Sequence, residues 1–461
     1  DLLYKWRFVQ TANVDPAVRA DSLPTAIFQQ GLAYAIAHEV GHTLGLEHNM
    51  AASAAFATDS LRNAAFTRKY GTTPSIMDYA RFNYVAQPGD KGVRLTPPEL
   101  GEYDYFAIDW NYRYYPQYAG KFDDETKAIE AMTDKAVKNP HLRFMPTQSR
   151  IIDPTVVAED LGNDPIKAAE YGKKNLAGIQ RNLATWIKND DDSRKKQELN
   201  LAIAKQYHLY FKNVLNLVGG IVCNTAKANT GVPPYKVLPK ARQREAFLWT
   251  LKEVKNFTDH ADRKAERKDY MAVSYYDQLL EFLIRDLFNS RARVIMAQTL
   301  DPKSYTLREY FDDLYGQVFA STIAGRTPTH IEQLLEQTFL NQAEAAVSGG
   351  ASKAAPSVPT ALAGSDATDL YFDLVNRFGT VPTELKDQLF TENVQFGNPA
   401  QSPYPTFSIS SHDNSDLYYQ AALVKLRPVM ARRAASAGTP DLKAHYSIML
   451  QKIDKALDDK K

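Results

Sequence analysis

The spacing of apolar and polar positions predicts a mainly α-helical protein. From about 119 to 345, apolar residues recur at helical intervals with short polar breaks. They give helices over Ile166–Lys188, Ser193–Leu217, Ala241–Phe257 and Val273–Thr299. Leu417–Ala434 and Asp441–Leu457 predict a terminal helical hairpin. Near the amino terminus, Tyr4, Trp6, Phe8 and Val9 suggest one short strand. Ser22 as a cap and Pro24 in the first turn then open a long helix from Thr25 to Leu46, apolar at Ile27, Leu32, Ile36 and Val40. Turns at Gly71–Pro74 and Gln87–Asp90 loosen residues 50–100. Helix returns at Pro97–Tyr105, and Tyr103, Phe106, Ala107, Trp110 and Tyr114 keep a helical spacing that reads as a core-facing stripe rather than a ligand platform. Ala345–Asp366, rich in Ala, Ser, Gly and Pro, reads as a linker. The expected divisions are 1–118, a helical domain over 119–345, a linker over 346–366, and a helical segment over 367–461.

Composition narrows the chemistry. The chain has 461 residues and a formal charge of +1, from 55 Lys and Arg against 54 Asp and Glu. That balance points to neither a nucleic-acid partner nor a membrane surface. No apolar run approaches the ~18 residues that a membrane-crossing helix needs. Cys223 is the single cysteine, so the chain forms no internal disulfide and any metal must be held by His and carboxylate.

The informative stretch is Ala37-His38-Glu39-Val40-Gly41-His42-Thr43-Leu44-Gly45-Leu46-Glu47-His48. His38 and His42 stand four residues apart on a helix, so both rings leave the same face about 6 Å apart along the axis. Two imidazoles so placed can meet one ion at ~2.0–2.1 Å each. Glu39 lies beside the first ligand, where its carboxylate reaches an attacking water without itself ligating. Gly45 accepts the positive φ that turns the chain off the helix. His48 then returns as third ligand. Three protein nitrogens leave one corner of a tetrahedron open, which is the arrangement of catalytic rather than structural zinc. Asp78, further along the chain, is a candidate for hydrogen-bonding the turn around it or a ligating histidine.

His38-Glu39-x-x-His42-x-x-Gly45-x-x-His48 resembles the extended zinc motif of the metzincins. Ser75-Ile76-Met77-Asp78-Tyr79 follows, and Met77 lies 29 residues past His48, resembling their methionine turn. The resemblance implies Zn²⁺ held by His38, His42 and His48, an apolar floor from Met77, Glu39 as general base, and Tyr79 as a residue that ligates the zinc or swings to the oxyanion. It implies a zinc endopeptidase with a protein or peptide substrate. The alternative is a catalytically impaired zinc-binding scaffold. More narrowly, the chain is similar to large bacterial metzincin-domain proteins in which part of a catalytic domain runs into a helical region. Residues 1–118 would be that carboxy-terminal part. Metzincins carry a twisted sheet before the active-site helix, yet only 37 residues precede His38. An upstream segment or a separate chain would then complete the sheet. The same resemblance implies an extracellular, periplasmic or outer-surface location.

Overall fold

The computed structural model describes residues 2–20, 22–148, 151–188, 190, 194–257, 275–347, 404 and 412–458, and it is mainly helical. In the amino-terminal half the helices are α1 Leu2–Thr11, α2 Thr25–Thr43, α3 Ala64–Tyr70, α4 Glu102–Tyr112, α5 Phe122–Ala136, α6 Pro165–Trp186 and α7 Arg194–Leu215. Strands β1 Ile221–Cys223 and β2 Tyr235–Val237 pair as the one sheet among the described residues. Then come α8 Lys240–Lys255, α9 Tyr275–Asn289, α10 Arg291–Leu300, α11 Leu307–Val318, α12 Ala320–Ala324, α13 His330–Val347, α14 Ser415–Ser436 and α15 Pro440–Asp458. None of the helices among the described residues is long and apolar enough to cross a membrane.

Several boundaries differ from expectation for physical reasons. The predicted strand at Tyr4–Val9 is helical. Tyr4, Phe8 and Thr11 fall on one helical face and are buried, and the Phe8 ring meets Trp186 edge-on at 6.3 Å. Tertiary packing against α6 and α7 decides the conformation over the local alternation. Pro24, not Ser22, is the N-cap of α2, and it has no side-chain cap. The helix predicted from Pro97 begins at Glu102, where Asp104 accepts from the Gly101 amide at 2.8 Å. The long helix expected to reach Thr299 breaks at Ser290, whose hydroxyl turns back to Leu287 O at 2.6 Å. Ala345–Val347 close α13; the rest of the expected linker lies outside the described residues.

The chain falls into two compact units. The first comprises Asp1–Lys236, Thr258–Leu283 and Asp387–Pro405. In it α1 packs on α6 and α7, and the polar core contact Gln10 to Gln206 is satisfied at 3.2 Å. The second comprises Val237–Phe257, Ile284–Lys386 and Thr406–Lys461. There α13, α14 and α15 pack on one another around edge-on rings of Phe311, Phe319, Phe339 and Tyr419. The buried Glu336 accepts from Thr322 at 2.5 Å and pairs with His445 Nε2 at 2.9 Å. A buried carboxylate satisfied on both oxygens explains His445 as a structural residue.

Candidate metal centre

The site lies in the first unit. Helix α2 turns its small residues and one histidine inward: Gly31, His38 and Gly41 are its buried positions. The opposite face is apolar as well. Phe28, Leu32, Ile36, Val40 and Leu44, at four-residue spacing, are each 40–55% exposed. The apolar positions of the sequence thus mark the outer face of α2, because the histidines take the inner one. The aromatic stripe of α4 divides similarly. Tyr103 and Ala107 are buried against Leu46, Ile76 and Met77, with Phe106 packed beside them, whereas Trp110 is 39% and Tyr114 74% exposed. The core-facing expectation holds for the first half of the stripe and fails for the second, where Trp110 lies past the core that α4 covers and Tyr114 follows the helix end at Tyr112.

Helix α2 ends as the glycine requires. Gly45 sits at φ 79°, its amide reaches His42 O at 3.0 Å, and the Leu46 amide reaches Gly41 O at 3.1 Å. These two bonds form a Schellman cap. The turn also orients a ring, since His42 Nδ1 bonds Leu46 O at 2.8 Å. His38 Nδ1 bonds Ile76 O at 2.8 Å. A carbonyl only accepts, so in both rings Nδ1 carries a proton and Nε2 is the nitrogen left to face an ion. Both contacts are to main chain, and the Asp78 carboxyl takes no part in orienting these two rings.

The free ends of the rings converge. His42 Nε2 and His48 Nε2 are 3.1 Å apart, and one nitrogen from each of the three histidines lies within 4.8 Å of the others. His38 Nε2 is buried without a hydrogen-bond partner, a costly state for a lone pair unless an ion takes it up. Burial holds His38 below the ordinary imidazole range. Burial, then the neighbouring His38 and His42, pushes His48 down to about 3. At neutral pH His38 and His48 are therefore uncharged, as metal ligands must be. The Tyr79 hydroxyl stands 2.7 Å from His48 Nε2. Glu39 is exposed on α2 beside the cluster.

Met77 is fully buried against Gly41, where even a Cβ would collide with its sulfur. The methionine turn is held from several sides that the sequence did not announce. Asp104 accepts from Ser75 Oγ and the Ile76 amide, both at 2.7 Å. Asn49, next to the third histidine, donates its amide to Met77 O at 3.0 Å. Tyr34 donates to Asp78 O at 2.9 Å. The Asp78 carboxyl accepts from the Ser53 amide at 2.6 Å, so it anchors the segment after His48. Ser53 Oγ in turn donates to Asp160 at 2.6 Å. Of these, only Asp78 stands out in the sequence, as a neighbour of Met77 able to hydrogen-bond around the turn.

Burial, then the charge of Asp160, raises Asp78 well above the carboxylate range. Burial raises Asp160 to about 7. A carboxyl whose folded-state pKa is raised favours folding while protonated. That contribution fades as pH climbs from the unfolded value near 4 to about 7, and it levels off above. Its full size is about 4 kcal/mol at most. Asp160→Asn is therefore expected to gain stability relative to the native chain as pH goes from 5 to 8. Chemical denaturation at the two pH values measures this, and an unchanged difference would refute it.

No curated protein and no solved structure matches the chain. The Met-zincin family model matches residues 20–325, a span that includes His38, Glu39, His42, His48, Met77 and Tyr79. With the three histidines brought together above a buried methionine and the match covering most of the chain, the protein belongs to the Met-zincin family.

Proposed function

We propose that this chain is a zinc-dependent endopeptidase. The observation that carries the reading is the convergence of three imidazole nitrogens, one of them buried and unpartnered. The donor set fits zinc: three imidazole nitrogens suit a borderline-soft divalent ion and leave a coordination position open for substrate. Zinc held by His38, His42 and His48 would supply Lewis acidity toward a substrate carbonyl and water.

The remaining roles fall to the chain. The Glu39 carboxylate takes the proton of the attacking water and returns it to the leaving amine. The Tyr79 hydroxyl, already beside His48, donates to the oxygen that gains charge. Met77 and Gly41 close the underside of the site to water. The outward apolar stripe of α2 is the face on which we place an upstream sheet segment, whose edge strand would align an extended peptide near Glu39. We place the activity outside the cytoplasm on the resemblance alone.

The test is zinc analysis of the purified chain together with casein digestion, with and without chelator. One zinc per chain and chelator-sensitive cleavage are expected. Bound zinc with no cleavage would overturn the peptidase reading in favour of a zinc-binding scaffold.

A further inference from the structure

We propose that Ser53 and Asp160 are positioning residues for Tyr79, acting through Asp78 to hold its hydroxyl beside the third histidine; this deepens, and rests on, the zinc-peptidase reading. Tyr79 follows Asp78, and Asp78 is held at both its main chain and its side chain. Its carbonyl accepts from Tyr34 at 2.9 Å. Its carboxyl accepts from the Ser53 amide at 2.6 Å.

Ser53 is fixed from the far side by residues some eighty positions beyond the methionine turn. Its hydroxyl donates to Asp160 Oδ1 at 2.6 Å, and its carbonyl accepts from the Gly162 amide at 2.9 Å. Ser53, Asp78 and Asp160 are all buried. The same loop grips the turn again past Tyr79. Glu159 pairs with Arg81, and the Arg81 guanidinium lies 3.4 Å from the Trp6 ring centroid. Glu159 adopts φ 64° to do so, a left-handed conformation uncommon for a residue with a side chain. Residues 159–162 thus brace the peptide on either side of Tyr79.

The third histidine has its own support. Asn49 donates its amide to Met77 O at 3.0 Å and its side chain to Arg143 O at 2.9 Å, and accepts from the Met145 amide at 3.2 Å. Cutting the Ser53–Asp160 link should therefore displace Tyr79 and leave the ligands in place.

The experiment uses the full chain loaded with zinc, casein as substrate, and cobalt as a spectroscopic probe. Ser53→Ala and Asp160→Ala are expected to keep zinc affinity within about threefold and to lower kcat about tenfold with KM unchanged. Asp160→Asn keeps an acceptor for the Ser53 hydroxyl and is expected to restore kcat to within about threefold. In a Tyr79→Phe background, Ser53→Ala should cost nothing further, because the group it positions is already gone. The visible band of the cobalt-loaded Ser53→Ala chain should move toward that of Tyr79→Phe. If Ser53→Ala does not fold, Tyr34→Phe releases the Asp78 carbonyl and is read the same way. Additive losses in the Tyr79→Phe background, or a cobalt band unmoved by Ser53→Ala, would overturn the proposal. Should even the native chain fail to cleave casein, the peptidase reading falls, and the cobalt comparison still decides the positioning of Tyr79.

Discussion

Glu39→Ala is expected to bind one zinc per chain, the same uptake expected of the native protein, while chelator-sensitive casein cleavage falls by about 10²–10⁴-fold, the usual worth of a positioned general base. The expectation follows from how α2 divides its residues. His38 and His42 converge with His48 and are each fixed through Nδ1 by a main-chain carbonyl. Glu39 lies off that face and is exposed. Removing its carboxylate leaves both ring contacts and the Schellman turn intact, so metal uptake should be untouched. In the proposed mechanism turnover depends on a proton acceptor at that position, and alanine supplies none. Zinc analysis and initial rates on the same preparation measure the two halves, and turnover near native in a zinc-replete Glu39→Ala sample would remove Glu39 from the reaction.

His42→Ala is expected to do the reverse, abolishing metal binding and with it all cleavage. Even a residue contacting a ligand from behind is commonly worth about 10–100-fold in metal affinity. Loss of a ligand should therefore exceed about a hundredfold. His42 is also tied structurally to its neighbours, since its Nδ1 bonds Leu46 O in the turn that delivers His48. Its removal vacates one corner of the site and loosens another. Competition against a chromophoric chelator gives the affinity. Zinc retained within a few-fold of native would show that His38 and His48 bind the ion without it.

The centre was largely legible in the sequence because its geometry is local. Four residues on a helix fix His38 against His42, and a glycine that must take positive φ brings the chain back at His48. What the sequence could not show was direction. Leu32, Ile36 and Val40 declare an apolar face on α2 but not that it looks outward. That follows only from the histidines taking the inner side against Ile76 and Met77. The amino-terminal segment misled for a related reason: Tyr4, Trp6 and Phe8 alternate like a strand, and only α6 and α7, far along the chain, make a helix of them. Ser53 and Asp160 carry no local signature at all. Their partnership spans more than a hundred residues and exists only once the loop at 159–162 has folded back.

The packing of Met77 on Gly41 extends the zinc motif by one position. In the pattern of three histidines, one glutamate and one glycine, residue 41 is free to vary. In this molecule a sulfur atom occupies the room a side chain would need there. Any larger residue would push the methionine away from the helix, and the turn carrying Tyr79 would travel with it. A position the motif leaves open thus sets the spacing between the two halves of the centre.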